Sequence, residues 1–471
     1  MKAKTTRWTA AAVLVLASAA AAQAPAAQPV AKLADYATAG LARLQFTLAD
    51  EVPGDQTGFG QAICIDAKNG TFLSLDIPTN IRPEQITGVR LIRPGEFNEG
   101  VKGELLGFDR DLGFSFVRAT EAHKWKALRF SRTSKLAIGQ RVVSMGLMQP
   151  NQGNAPYLGM GTVGAKLRVP GHLVYVTGGE LTIKSSPVLT TDGRTVGIVA
   201  DEVPLVSRLK LGQRWLTVAT TGRQRSRFFV PVEEFAHVLA EIPTKGNPKR
   251  LSWTGILGFL PLSKDEADVK GLSGTPAVQV GQVIPGSPAE VAGIRQSDVI
   301  VGLNGKPLEP MATPQLVSAN FVRLLQRIKA GAKITLAVRK GSKSKTYTLT
   351  TQPMPQRPFE AKRYFNNVLG LIARNMVMLD KYLGRSKPLT ERDKGVFLFR
   401  VFPRTAAAKG LKPNDLVTHV NNKPVPNVEA LKAVLEPVAK PGAVTPITFL
   451  VLRGEQTEAV TITPPPKPRS R

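Results

Sequence analysis

Residues Thr182–Val199 read TIKSSPVLTTDGRTVGIV, and this order of residues decides the fold. Leu181, Ile183, Val188 and Leu189 supply apolar strand residues. Asp192-Gly193 is a turn dipeptide, and Thr195–Val199 is a β-branched run. Two short β-strands around a turn are predicted.

The flanking sequence continues the pattern. From about Gly58 to Val203, short apolar or alternating runs are divided by Gly, Pro, Asn and Asp. Candidate strands are 60–66, 71–76, 86–93, 101–107, 112–118, 141–147, 158–167, 172–177, 187–190 and 195–200. Such spacing, with no long helical pattern, predicts barrels or sandwiches. Residues 33–50 are expected to form a short helix leading into this domain.

Residues 182–199 resemble the nucleophile segment of trypsin-like proteases, in particular of the HtrA (Deg) family. There the order is Gly-Asn-Ser-Gly-Gly-Pro-Leu/Val, a turn, then Gly-x-Val-Val-Gly-Ile. Aligned on Pro187-Val188 and on Asp192–Ile198, Lys184 takes the serine position, and Ser185 and Ser186 take the two glycines. Three further segments are similar to the family in the same order. They are Gly58-Phe59-Gly60 with the strand to Asp66, GELLGFDRDLGFSFVR (Gly103–Arg118), and LAIGQRVVSMG (Leu136–Gly146). The resemblance implies a trypsin-like double β-barrel.

A serine protease needs a hydroxyl nucleophile, an imidazole base and an orienting carboxylate. By the resemblance, Asp111 holds the Asp position, while the His position falls at or beside Ile77 in TFLSLDIPTN (Thr71–Asn80). The four histidines, His123, His172, His237 and His419, all lie elsewhere and read as surface or satisfied side chains. Ser185 is an alternative nucleophile, with Lys184 as its base. Adjacent strand residues point to opposite faces, however, so the two would diverge. Thr182-Ile183-Lys184 also prefers extended backbone, unlike the Gly-rich turn that forms the family's oxyanion hole. No triad is intact on this reading.

Downstream, VQVGQVIPGSPAEVAGIRQSDVIVGLNGKPL (Val278–Leu308) and VFLFRVFPRTAAAKGLKPNDLVTHVNNKPV (Val396–Val425) form an internal repeat. Each copy has a strand, a Pro-containing turn, a short helix closed by Gly293 or Gly410, then Asp298 or Asp415, a strand, and an Asn turn. Helices at 315–329 and 427–436 follow, then strands at 333–339, 346–351, 445–453 and 459–463. The copies resemble bacterial PDZ domains. A PDZ domain binds a peptide as an added strand and holds its terminal carboxylate on a glycine-containing loop. By resemblance that loop is Ile256-Leu257-Gly258-Phe259 in the first copy and Val368-Leu369-Gly370-Leu371 in the second.

Composition bounds the remainder. The 471 residues suit about three domains of ~100–200 residues, and 42 Gly with 36 Pro favour turns and short strands. Lys2, Lys4 and Arg7 precede the apolar run Ala10–Ala20, which predicts a signal peptide cleaved after Ala22. An uncleaved anchor is the alternative. The mature chain is expected in a periplasm or outside the cell. Cys64 is the single cysteine, so no intramolecular disulfide forms. No metal cluster, Walker loop or dinucleotide fingerprint is present, and no cofactor is expected.

The net charge is +28, or +25 without the three basic leader residues, which permits weak attraction to anionic surfaces. The basic residues are not interleaved with aromatics, so no specific nucleic-acid partner is expected. The predicted architecture is mainly β: signal peptide 1–22, linker and short helix 23–50, degenerate trypsin-like domain 51–243, PDZ domains 251–355 and 362–464, and a basic tail 465–471. The predicted role is an exported HtrA-like pseudoprotease binding peptides, protein C termini or unfolded envelope proteins, with a homotrimer implied by the resemblance. An active endopeptidase using Ser185 and a structural envelope scaffold are the alternatives.

Overall fold

A computed structural model describes residues 29–49, 56–97, 100–122, 124–200, 207–211, 214–218, 227–244, 250–340, 343–382, 388–390 and 393–466. The predicted leader, residues 23–28 of the linker, His123, the linker positions 245–249 and the tail from 467 lie outside the described residues.

The chain enters through helix α1 (Val30–Thr38), whose Leu33 and Ala37 are buried on one face. The expectation of a helix over 33–50 is corrected here, because the second half is a strand. At Gly40 an added Cβ would lie 2.4 Å from the Leu128 side chain, so only glycine lets the chain turn there. From Leu41 the pattern has the period of a strand. Ala42, Leu44 and Phe46 enter the first barrel core, while Leu41 joins the core between the barrels.

The first barrel comprises β1 (Leu41–Leu48), β2 (Gln56–Asp66), β3 (Thr71–Ser74), β4 (Ile86–Ile92), β5 (Val101–Asp109) and β6 (Phe114–Ala119). It closes in the order β1-β2-β3-β6-β5-β4. The second uses β7 (Arg141–Leu147), β8 (Pro156–Arg168), β9 (His172–Glu180), β10 (Pro187–Thr190) and β11 (Thr195–Val199). A separate hairpin of β12 (Ser207–Leu211) and β13 (Arg214–Val218) follows, and β14 (Phe228–Pro231) closes the second barrel as β10-β11-β14-β9-β8-β7. The stretch that decided the reading is therefore the β10–β11 pair, with Val188 facing Gly197. Helix α2 (Ala236–Ala240) ends the domain.

Buried polar side chains also join the barrels, beside the apolar core between them. Arg43, 1% exposed, donates from β1 to the Leu147 carbonyl at 2.8 Å, the Asn154 amide oxygen at 3.0 Å and the Met148 carbonyl. Gln61 donates to Ser186 Oγ at 3.0 Å and accepts from the Leu147 N–H at 2.8 Å. Each donor finds an acceptor, which offsets the cost of burial.

The first repeat copy opens with β15 (Ser252–Trp253), β16 (Ile256–Pro261), α3 (Lys264–Val269), β17 (Val278–Val283) and α4 (Pro288–Val291). It continues through β18 (Val299–Leu303), β19 (Lys306–Pro307), α5 (Pro314–Gln326), β20 (Lys333–Lys340), β21 (Lys343–Thr350) and β22 (Gln352–Pro353). The second has β23 (Arg363–Asn366), β24 (Leu371–Asn375), β25 (Val396–Val401), β26 (Leu416–Val420), β27 (Lys423–Pro424), α6 (Val428–Val438), β28 (Ile447–Arg453) and β29 (Gln456–Ile462). Their main sheets run β16-β17-β18-β20-β21 and β23-β24-β25-β26-β28-β29.

The repeat holds bond for bond at the turn before the shared aspartate. The Arg295 N–H donates to Asp298 at 2.9 Å, and the Lys412 N–H donates to Asp415 at 2.8 Å. Ser297 and Asn414, one residue earlier, both have φ of +69°. The closing glycines differ: Gly293 is left-handed at φ +87°, whereas Gly410 has φ −164° and is extended.

Candidate functional site

A cleft of about 700 Å³ lies between the barrels and against α5 of the first repeat copy. Ile77, Asp111 and Lys184 all line it, although the chain separates them widely. Ile77 is 1% exposed and belongs to the core of the first barrel. Asp111 sits in the turn between β5 and β6, half-buried. Lys184 is half-buried in the turn before β10.

That turn is held by bonds to both barrels. Ser185 is fully buried with φ +65°, a backbone that glycine adopts freely and that costs an L residue ~1–2 kcal/mol. The left-handed kink thus occurs at one of the two positions where the resembled pattern carries glycine. Ser185 Oγ accepts from the Leu75 N–H at 2.8 Å, which ties the turn to the first barrel. The Thr182 N–H donates to Ser144 Oγ at 2.9 Å, and the Ile183 N–H donates to Tyr157 Oη at 3.1 Å. Both amides are spent on side chains of β7 and β8. In a trypsin-like site the oxyanion donors are the amides of the nucleophile and of the residue two before it, here Lys184 and Thr182, and the Thr182 amide is turned to Ser144.

Sequence reasoning missed the charged side of the cleft. Glu234, 4% exposed, takes hydrogen bonds from four groups. Its Oε1 meets the His172 N–H at 2.9 Å and His172 Nδ1 at 2.6 Å. Its Oε2 accepts from Arg323 at 3.0 Å and Arg327 at 2.6 Å. Arg323 lies on α5 and Arg327 just past its end, so this cluster joins the second barrel to the first repeat copy. Burial works against the charge on Glu234, but the His172 main chain and ring, with Arg327 and Arg323, outweigh it and hold the carboxyl below its ordinary value. Burial, then the neighbouring Arg327 charge, push Arg323 down, with Glu234 and Asp111 opposing. These partners are 62 to 93 residues apart, and no local pattern announces them.

The second predicted loop turns at Gly370, with φ +75°. The first is corrected by position: its counterpart of Gly370 is Gly255, at φ +90°, because the Gly255 carbonyl accepts from the Ile284 N–H as the Gly370 carbonyl accepts from the Phe402 N–H, whereas Gly258, at φ +83°, lies within β16. In the first loop Ile256 is buried, and Leu257 and Phe259 are half-buried along β16. The Phe259 carbonyl accepts from Ser318 Oγ, and the Phe259 ring meets Phe321 edge-on at 4.9 Å, so α5 closes directly on the strand. In the second loop Leu369 and Leu371 are fully buried core residues, and Val368 is half-buried.

Two closed six-stranded barrels with a cleft between them, followed by two repeat sheets, define a trypsin-like fold with appended PDZ domains. The PDZ domain family matches at residues 279–340 and again at 381–452. The chain is similar to a probable periplasmic serine endoprotease, DegP-like, of Hahella chejuensis. The two are 25% identical over 357 residues, 72% of this chain and 68% of that protein. It is 27% identical to the periplasmic serine endoprotease DegP of Escherichia coli over 231 residues, 49% of this chain and 43% of that one. Among solved structures, the HtrA-type protease AlgW with tripeptide superposes with a TM-score of 0.52 at 16% identity, covering 70% of this chain and 99% of that one. The chain thus carries two PDZ domains behind a trypsin-like fold and is similar to DegP-like proteases, which are named as periplasmic. Among the described residues no helix is long and apolar enough to cross a membrane.

Proposed function

We propose that this chain is an exported, HtrA-like pseudoprotease that binds peptides or unfolded envelope proteins through its PDZ domains, as a chaperone, adaptor or regulator. The observation that carries the reading is the turn before β10. Lys184 stands where the resembled pattern has its serine, and the Thr182 amide, at one of the two oxyanion-donor positions, is bonded to Ser144. Ile77 at the histidine position adds no base, since an alkyl side chain takes no proton. The barrels then act as a scaffold that carries the PDZ pair. The HtrA-type protease AlgW is seen with a tripeptide, which supports peptide docking on the same fold. In this chain, Ser318 of α5 donates to the Phe259 carbonyl on the strand where such a peptide would add. A homotrimer in the periplasm belongs to the same proposal.

A second reading, an active endopeptidase using Ser185, is favoured by one observation. His172 and Glu234 form a base–carboxylate pair at 2.6 Å on the same cleft. The mature chain incubated with fluorescently labelled casein separates the two. The pseudoprotease releases no label, and it slows the aggregation of an unfolding client protein. Casein cleavage that Ser185→Ala and His172→Ala each abolish would establish the endopeptidase.

A further inference from the structure

The two PDZ copies differ on the edge where a peptide would add. In the first copy β16 is the outermost strand of its sheet. In the second, the matching strand β24 carries β23 on its outer side. The pairing is antiparallel, with Arg363 opposite Arg374, Tyr364 opposite Ala373, Phe365 opposite Ile372 and Asn366 opposite Leu371. β23 also packs against α6, so it lies between the strand and the helix that flank the groove. Its direction matters as well. The chain runs toward the glycine loop, as the end of a bound C-terminal peptide would.

The contacts at that end reproduce those a terminal carboxylate would make. The Leu369 N–H donates to Asn366 Oδ1 at 2.9 Å, and the Gly370 N–H donates to the Asn366 carbonyl at 2.9 Å. Two oxygens of one residue thus satisfy two successive amides of the loop. Asn366 is 5% exposed, and its side-chain N–H donates to Tyr364 Oη at 3.1 Å. Tyr364, two residues back on the same face of the strand, packs on the core together with Val434 and Val438 of α6. Just before the segment, Lys362 pairs with Glu429 in the first turn of α6.

We propose that Arg363–Asn366 is an internal pseudo-ligand that fills the peptide groove of the second PDZ copy. External ligands reach this groove only when the segment is displaced. Their chemistry is that of a C-terminal peptide with a free carboxylate and an aromatic side chain two residues before the end. The occupant is joined to its loop by Asn367 alone before Val368, so its effective concentration is far above that of a free peptide. An external peptide's apparent affinity falls by the fraction of time that the groove is open. The inference rests on the peptide-binding reading for the ligand's chemistry, but not for the occupancy itself.

Two measurements on the full mature chain test it. The first is amide hydrogen exchange without ligand. Leu369 and Gly370 are expected to be protected in the wild type, and Leu369, whose acceptor is the Asn366 side chain, to lose protection in Asn366→Gly. The second uses a labelled peptide of the chain's own residues 359–366, FEAKRYFN, with a free carboxylate and a photo-crosslinking group. Crosslinks to 368–375 and 428–438 are expected to appear at least about tenfold more readily in Tyr364→Ala/Asn366→Gly than in the wild type. Unprotected Leu369 and Gly370 amides in the wild type, or crosslinking that is measurable and equal in both chains, would overturn the proposal. If the peptide binds neither chain while the two amides stay protected, the peptide-binding reading fails and the internal occupant stands.

Discussion

Replacing Glu234 by alanine tests whether the charged cluster beside the cleft holds the first PDZ domain to the barrels. The carboxylate is 6% exposed and meets Arg323 at 3.0 Å and Arg327 at 2.6 Å. Removing one member of a buried ion pair costs ~3–5 kcal/mol, because the partners are left charged and dry. Two features favour the low end. The arginine side chains keep 14% and 23% exposure, and Arg327 still donates to the Glu234 main-chain carbonyl at 2.9 Å. A loss of about 3 kcal/mol follows, roughly a hundredfold in the docking equilibrium. It should appear as faster amide exchange along α5 and a larger radius of gyration by small-angle scattering, with the separate barrel and PDZ cores intact. Glu234→Gln keeps the shape and one acceptor and should fall between. The effect also has a pH signature. The folded carboxyl titrates below its ordinary value of 4.5, so the unfolded chain takes up the proton first as pH falls. The contribution is complete above pH 4.5 and is lost as pH drops through the lower folded value. Wild type and Glu234→Ala should therefore converge in acid. Unchanged α5 exchange in Glu234→Ala at pH 7, or a difference that grows in acid, would refute the clamp.

Three further outcomes follow from the packing. Ser185→Ala leaves the Leu75 N–H without its acceptor and keeps the same Cβ at φ +65°, so it should destabilise by ~1–3 kcal/mol in urea titrations. Ser185→Gly removes the same hydroxyl but relieves the backbone, and should be about 1 kcal/mol less harmful; equal losses would remove the strain argument. The Cys64 thiol is fully buried, and burial pushes its pKa up to about 12, so a thiol-reactive dye at pH 8 should label it only after denaturation. Asp380 pairs with Arg374 through two bonds, at 2.6 and 2.7 Å, with both side chains buried. Asp380→Ala should cost ~3–5 kcal/mol in the second PDZ domain, measured as a lowered denaturation midpoint, and a change under 1 kcal/mol would contradict that burial argument.

The sequence carried the parts of this molecule that are local. Alternation and turn residues located nearly every barrel strand, because a half-buried strand must alternate and its turns need Gly, Asn or Asp. The PDZ repeat was legible for the same reason, and the Asp298 and Asp415 turns share their backbone geometry as well as their spacing. The error at 33–50 came from reading α1 through a boundary. Gly40, pressed against Leu128, marks the switch to β1, and only the tertiary contact gives that glycine its meaning. What no local pattern could supply were contacts between distant segments. Glu234 meets His172 and two arginines of another domain, and β23 is a four-residue strand whose role depends on the loop it caps.

The cleft and the second PDZ groove share one physical logic. In each, backbone amides that a ligand or a reacting oxygen would need are taken by the chain itself. Thr182, at one of the two oxyanion-donor positions, donates to Ser144, and its neighbour Ile183 to Tyr157, while Leu369 and Gly370 donate to Asn366. A buried amide must find an acceptor, because leaving it unpaired costs ~1–3 kcal/mol. A working site meets that demand with water until a ligand or substrate arrives. At both places here an internal acceptor meets it instead, so the frame stays folded without a guest. The two cases differ in what reversal requires. At the barrel turn the acceptors are side chains of the barrel's own strands, β7 and β8, and freeing the amides means breaking the barrel core. At the PDZ groove the acceptor is one short strand at an edge, and freeing the amides means only peeling β23 from β24. Reversible exposure is therefore expected at the groove and not at the turn. Hydrogen exchange resolved to single amides should show Leu369 and Gly370 opening far more often than Thr182 and Ile183.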